Sequence, residues 1–392
     1  MTKSARVESI DLLRGIVMII MALDHVRDYF HADAFLYDPT DMSKTSVILF
    51  FTRWITHFCA PVFIFLAGTS AFLIGLRKSK QELSLFLLKR GIWLIVLELT
   101  IVNFAWFFNV QFSLITLFVI WALGFGMIVL AACIHLPYKA ILAIGVLMVA
   151  GHNAFDDFSI EGNGPAAILW SMVHQFQGFP LSDGYFLFVG YPIIPWIGVM
   201  MLGYCFGAFY QPSYNPAVRQ KTLLYLGSSV ILLFIILRLV NGYGDPHPWS
   251  TQQNPVFTVL SFLNVTKYPP SLLYVLVTLG PAILFLAVSE GYYGRLSQSV
   301  KILGRVPMFY YLLHLYLIHL LAMTAAVLTG YDLSDMVFDT WVTNSPNLVG
   351  YGFNLWVVYV VWISVVLILY PLCKWYDAYK ATQRHKWWLS YL

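Results

Sequence analysis

The sequence predicts an all-α, polytopic membrane protein of about ten transmembrane helices with both termini cytoplasmic, and three observations carry that prediction. Hydrophobic residues make up 59% of the 392-residue chain and charged residues only 11%, at a mean hydropathy of +0.73, far more apolar than a soluble domain. About ten apolar runs approach or exceed the length needed to cross roughly 30 Å of hydrocarbon. Lys and Arg, finally, gather on alternate connections, as they do in short cytoplasmic loops.

The runs fall at 9–30, 54–76, 89–108, 112–134, 138–152, 188–209, 222–240, 271–289, 305–328 and 352–374. The first, "SIDLLRGIVMIIMALDHVRDYFH", is too long and too charged for a cleaved leader and reads as a retained helix. The second carries Ala67, Ala71 and Gly75 at helical spacing, and the sixth carries Gly203 and Gly207; small residues so placed suit close helix contact. The third follows Arg90 and contains Glu98, and the fifth is the shortest. Pro61 and Pro281 are expected to interrupt the second and eighth, yet no half-repeat is visible. The ninth carries His314 and His319, and the tenth ends at Lys374.

With both ends cytoplasmic, all but five of the 23 basic residues lie on that side, the exceptions being Arg27, Lys44, Arg53, Arg238 and Lys267. The net charge of +4 is therefore a topology signal and requires no nucleic-acid partner. The long connections 31–53, 153–187, 241–270 and 329–351 fall on the opposite side. They are acidic and aromatic, which suits folded loops over an outer vestibule. One membrane domain, 1–392, is the economical reading. Cys59, Cys133, Cys205 and Cys373 show neither paired nor metal-type spacing.

The charges of the first run form a pattern. Arg14 and His25 are eleven positions apart, about 16.5 Å of helical rise, and lie within about 20° of one direction. Asp11, Met18, Met21 and Asp28 share the stripe, which would be costly against lipid and so should face the bundle interior. An arginine at a cytoplasmic mouth suits phosphate, because its fork is permanently charged and bidentate. A poorly solvated histidine offers a neutral imidazole that accepts a proton. Both also have bland readings, Arg14 as a snorkelling topology residue and His25 as a buried histidine bonded to Asp24 or a carbonyl.

Counted from the flanking basic residues, Glu98 lies about 12 Å and His314 about 13.5 Å into the membrane from one side, and His57 about 6 Å from the other. They populate one layer with His25 if their faces converge. Glu98 requires a cation, a donor or its own proton. His314 and His319 are about 140° apart on their helix and cannot share a metal. His31, His152, His174 and His247 read as loop or boundary residues, more often plain surface histidines. The chain has no G-x-S-x-G, no glycine-rich phosphate loop, no H-E-x-x-H and no Cys/His cluster, so no metal is expected.

The stretches "SIDLLRG" with a histidine eleven after its arginine, "HFCAPVFIFLAG", "YPIIPWIGVMMLGY", "KYPPSLLY" and "LGRVPMFYYLLHLYLIH" together resemble the bacterial branch of the heparan-alpha-glucosaminide N-acetyltransferase-like family. The spacing is also similar to that of the wider membrane acyltransferases that decorate glycans, in which a late histidine follows a tyrosine-rich run, as His314 follows Tyr310 and Tyr311. The resemblance implies an acetyl-CoA-dependent O- or N-acyltransferase in a bacterial inner membrane, acting on a sugar or glycan on the far side. A homodimer is compatible with it. Arg14, with Asp11, would hold the CoA phosphates. His25 would be the catalytic histidine, with Asp24 or Glu98 orienting it and His314 beside it. His57, Lys267, Ser271 and Tyr274 would face the acceptor. In the heparan-modifying enzymes the first helix carries asparagine near the position of His25 and its proposed histidine nearer His31, so both remain candidates. The alternative of another class is a transporter of a small metabolite or lipid precursor using the same polar layer.

Overall fold

A computed structural model describes residues 7–290, 294–383, 385–386 and 389. Its helices are α1 (Glu8–Phe30), α2 (Val47–Trp54), α3 (Cys59–Gly75), α4 (Lys80–Leu97), α5 (Asn103–Phe107), α6 (Val119–Cys133), α7 (Tyr138–Gly151), α8 (Pro165–Val173), α9 (Ile193–Phe206), α10 (Pro216–Val240), α11 (Pro255–Leu263), α12 (Leu272–Val288), α13 (Arg295–Arg305), α14 (Pro307–Leu328) and α15 (Leu355–Thr382).

Local chemistry explains where many of them begin. The Ser79 hydroxyl accepts from the Glu82 N–H while the Glu82 carboxylate accepts from the Ser79 N–H, a reciprocal cap at the start of α4. Asn215 and Asn254 cap α10 and α11, each followed by a proline whose missing N–H is not needed in the first turn. Asn241 closes α10 in the left-handed conformation.

Among the described residues, six segments are long and apolar enough to cross a membrane: Val47–Gly75, Tyr138–Phe155, Ile193–Tyr210, Pro216–Val240, Pro307–Leu328 and Leu355–Thr382. The shorter α6 and α12 are apolar throughout. The remaining two apolar runs of the sequence fall on α1 and on the segment from α4 through α5, which carry charge. On α15, Trp356, Val360, Ile363 and Leu367 are exposed along one helical face, a stripe that suits lipid.

Three expectations are corrected. The second apolar segment starts at Val47 rather than 54, because Ser46 caps α2 and a 3-10 turn, Ile55–Phe58, carries it into α3. Pro61 falls in the first turn of α3 and Pro281 within α12, and neither interrupts its helix. Nor is the fold purely helical. β1 (Leu114–Leu117) pairs in parallel with β3 (Phe186–Val189), which pairs antiparallel with β2 (Gln177–Pro180). Leu-Ile-Thr-Leu and Phe-Leu-Phe-Val suit strands, but each is short and finds its partner some 70 residues away, so periodicity along the chain does not reveal it.

α1 runs through the middle of the bundle and packs on α3, α13, α14 and α15. The α3–α9 contact is made of backbone. A Cβ at Gly203 would stand 2.0 Å from the Phe65 carbonyl oxygen, and one at Gly68 2.0 Å from that of Met200. The Thr69 hydroxyl donates to the Gly203 carbonyl across the seam at 3.0 Å. Gly203→Ala is therefore expected to destabilise the protein by about 1–3 kcal/mol, because neither backbone can yield alone. Thermal unfolding in detergent tests this against Gly151→Ala, where a Cβ would meet nothing within 4 Å; equal melting temperatures would refute the packing argument.

Candidate active site

Two cavities meet inside the bundle. The larger, about 1360 Å³, opens at the end carrying the long connections, and all four of 31–53, 153–187, 241–270 and 329–351 contribute to its walls. The smaller, about 570 Å³, runs beside α1 toward the opposite, basic-rich end. Both are lined by Asp24, His25, Val119, Tyr191, Lys267 and Tyr311, so these residues surround the junction.

The stripe on α1 faces this passage. Arg14, Met18, Met21 and His25 line the smaller cavity, whose lining also includes Arg90, Arg305 and Lys380. The Arg14 guanidinium donates to Asp11, to the Gly304 carbonyl and to Ser70, at 3.4, 3.3 and 3.0 Å. Asp11 lies 3.7 Å from Arg305. It thus holds two arginines of the mouth in place without lining the cavity. Arg90, Arg305 and Lys380 read in the sequence only as boundary residues, because flanking basic residues are the ordinary signal of a cytoplasmic boundary.

His25 is fixed by its neighbours. Its Nδ1 lies 2.8 Å from His314 Nε2, and His314 Nδ1 lies 3.0 Å from the Tyr310 carbonyl oxygen. A carbonyl can only accept, so His314 donates through Nδ1 and, when neutral, accepts through Nε2. His25 must then donate through Nδ1, which leaves its Nε2 lone pair as the proton acceptor. The His25 ring lies nearly coplanar with that of His314, centroids 4.9 Å apart, and stands edge-on to Trp106 with centroids 4.7 Å apart, so it has little rotational freedom.

The Asp24 carboxylate is paired with cations. It takes Arg53 through both oxygens at 2.8 and 2.9 Å and Arg27 at 2.8 Å, with the Lys267 ammonium at 3.7 Å. Arg27 also binds Asp28 at 2.7 Å. Three cations thus face two carboxylates beside His25, leaving a local excess of positive charge. Lys267 reaches the junction from the loop between α11 and α12 and lines both cavities.

The other candidates are distributed as follows. Glu98 is fully buried and accepts from the Ile120 and Trp121 N–H groups, so it caps α6, and it lines neither cavity. His57 lines the larger cavity, its ring centroid 5.3 Å from that of Tyr274, whose hydroxyl donates to the His57 carbonyl. Ser271 caps α12 and donates to Asp245 at 2.6 Å. Neither Ser271 nor Tyr274 reaches a cavity wall. His31 ends α1, pairs across a bridge with Phe353 and faces Asp33 at 3.9 Å, outside both cavities. Burial lowers its pKa, with Asp33 pulling in the opposite direction. Of the two alternative histidines, only His25 is at the junction. At the rim of the larger cavity, burial and the Asp33 carboxylate push the Tyr37 hydroxyl up to about 12. His319 lies between the Ala105 and Met336 carbonyls, away from His314.

Comparison with known proteins adds the chemistry of a family. A family model described as heparan-alpha-glucosaminide N-acetyltransferase, catalytic, matches residues 6–237, more than half of the chain and inclusive of Arg14, Asp24 and His25. No curated protein matches it. Six helical segments long and apolar enough to cross a membrane among the described residues, two cavities that share His25 in their walls and this match converge on one assignment. The chain belongs to the heparan-alpha-glucosaminide N-acetyltransferase family, a family of membrane acetyltransferases.

Proposed function

We propose that this protein takes an acetyl group from cytosolic acetyl-CoA, entering at the basic-rich end, and delivers it to a hydroxyl or amine of a sugar or glycan in the vestibule across a bacterial plasma membrane. The observation that carries this reading is the meeting of the two cavities at His25 and Lys267. Arg14, Arg90, Arg305 and Lys380 supply charge for the CoA phosphates, and the narrow cavity lined by Met18 and Met21 suits the pantetheine arm. The wider vestibule, with aromatic and acidic walls, suits a polyhydroxylated acceptor.

In this reading His25 Nε2 takes the proton of the acceptor as its oxygen or nitrogen bonds to the thioester carbon. The carbonyl oxygen gains the negative charge, and the Lys267 ammonium and the positive excess around Asp24 stabilise it. Collapse breaks the carbon–sulfur bond. The CoA thiolate recovers the proton from His25, which restores the starting state. His314 positions the ring and does not touch substrate. A transfer through an acetyl-histidine would use the same Nε2, and a burst of CoA release without acceptor would distinguish it.

Titration of the purified protein with acetyl-CoA tests the proposal, and absence of saturable binding would end it. Arg14→Ala is expected to weaken CoA binding about 10- to 100-fold, the loss of a charge-assisted hydrogen bond. It should weaken dephospho-CoA less. Equal weakening of both would move Arg14 from the ribose phosphate to the diphosphate.

A further inference from the structure

At the vestibule end, away from the passage, His152, Asp156 and His174 converge. One ring nitrogen of each histidine and an Asp156 carboxylate oxygen lie within 4.8 Å of one another. His152 follows the last turn of α7, Asp156 closes the 3-10 turn His152–Phe155, and His174 ends α8. Sequence reasoning treated these histidines as surface residues, but they are 2% and 3% exposed. None of their four ring nitrogens makes a well-formed hydrogen bond: the nearest groups are the Asp156 carboxylate, 3.5 Å from His174 Nε2, and the Pro270 backbone beside His152. Buried polar atoms are nearly always satisfied, so two buried imidazoles aimed at one carboxylate call for a common ligand.

We propose that His152, Asp156 and His174 bind one transition-metal dication, Zn²⁺ by the character of its donors. Two imidazoles and a carboxylate are a borderline set that prefers zinc-like ions to the all-oxygen shells of Ca²⁺ and Mg²⁺. A tetrahedral Zn²⁺ places its donors about 3.4 Å apart. His174 Nε2 and Asp156 Oδ1 already stand 3.5 Å apart, so a small turn of the His152 ring completes three corners and leaves the fourth for water. Asn153 donates to the second Asp156 oxygen at 2.8 Å, the kind of outer hydrogen bond that orients a ligating carboxylate. Phe155 and Trp170 pack against His174 and screen it from solvent.

The ion would clasp two vestibule walls at their common root. The Asn153 side-chain Oδ1 accepts from the Leu272 N–H at the start of α12, next to the loop that carries Lys267. On the other side, His174 is two residues before Phe176, which stacks on Tyr268 in the vestibule. The ion is a brace for segment 153–187 and takes no part in acetyl transfer, so this inference stands or falls apart from the catalytic reading.

The test uses tag-free full-length protein in detergent, stripped with a chelator and titrated with Zn²⁺ against a fluorescent zinc indicator. We expect one tight Zn²⁺ per chain and a rise in melting temperature on its addition. His174→Ala and the near-isosteric Asp156→Asn should each weaken binding by about tenfold or more and abolish the thermal shift, whereas His135→Ala, at an exposed position, should change neither. Wild-type protein that binds no stoichiometric Zn²⁺, variants that bind as wild type does, or equal stabilisation by Mg²⁺ would overturn the site.

Discussion

Replacing His25 by alanine is expected to leave acetyl-CoA binding nearly unchanged and to lower turnover by about 10²- to 10⁴-fold, the range for loss of a positioned general base. In barrier terms this is roughly 3–5 kcal/mol. Binding should survive because the phosphate-bearing part of CoA is assigned to the Arg14 end of α1, about 16.5 Å of helical rise away. Turnover should fall because no other proton acceptor at the junction is free to act. Asp24 is committed to Arg53 and Arg27, and the His314 Nε2 is committed to His25. Titration of acetyl-CoA alongside a thiol-release assay separates the two effects. Full turnover in His25→Ala would remove the catalytic assignment, and loss of binding with turnover would recast His25 as part of the CoA site. His314→Ala should reduce turnover less, by disorienting a ring that Trp106 still holds from one side; loss as large as that from His25→Ala would instead give His314 a direct role.

The second large effect concerns stability. Asp24→Asn keeps the shape of the side chain but removes the charge that Arg53, Arg27 and Lys267 share. Asp24 is 9% exposed and Arg27 3%, so water from the cavity they line replaces the lost pairing only in part. Breaking one partner of a buried ion pair costs about 3–5 kcal/mol, mostly from the uncompensated charge left behind. Asp28 remains to hold Arg27 and keeps the expected loss within that range. The measurement is chemical or thermal unfolding of detergent-solubilised protein. A change below about 1 kcal/mol would show that the cluster is solvated, as exposed pairs are. The double variant Asp24→Asn, Arg53→Gln should recover part of the loss, since it removes one of the stranded cations.

These two residues show what could be read from the chain. His25 was legible because its relation to Arg14 lies within one helix, where 3.6 residues per turn converts spacing into direction. Asp24 was visible as a charge, but its pairing with Arg53 was not, because Arg53 lies 29 positions away on a separate helix. Glu98 was recognised as costly, yet its partners are backbone N–H groups of α6, which no side-chain pattern announces. The His152, Asp156 and His174 cluster escaped for the same reason. Its two histidines are 22 residues apart across irregular segments, and the sequence shows no metal-ligand spacing.

By itself the sequence determined the membrane-protein class, the family and the inward stripe of the first helix, since apolar content, motif order and helical period are properties of neighbouring residues. Only the tertiary structure decided that Lys267 meets His25 where two cavities join, that His314 sets its tautomer, that Asp24 pairs with Arg53 and that a small sheet walls the vestibule. Each of those depends on contacts between segments far apart in the chain. Their energies come from desolvation and packing in three dimensions, which linear spacing does not encode.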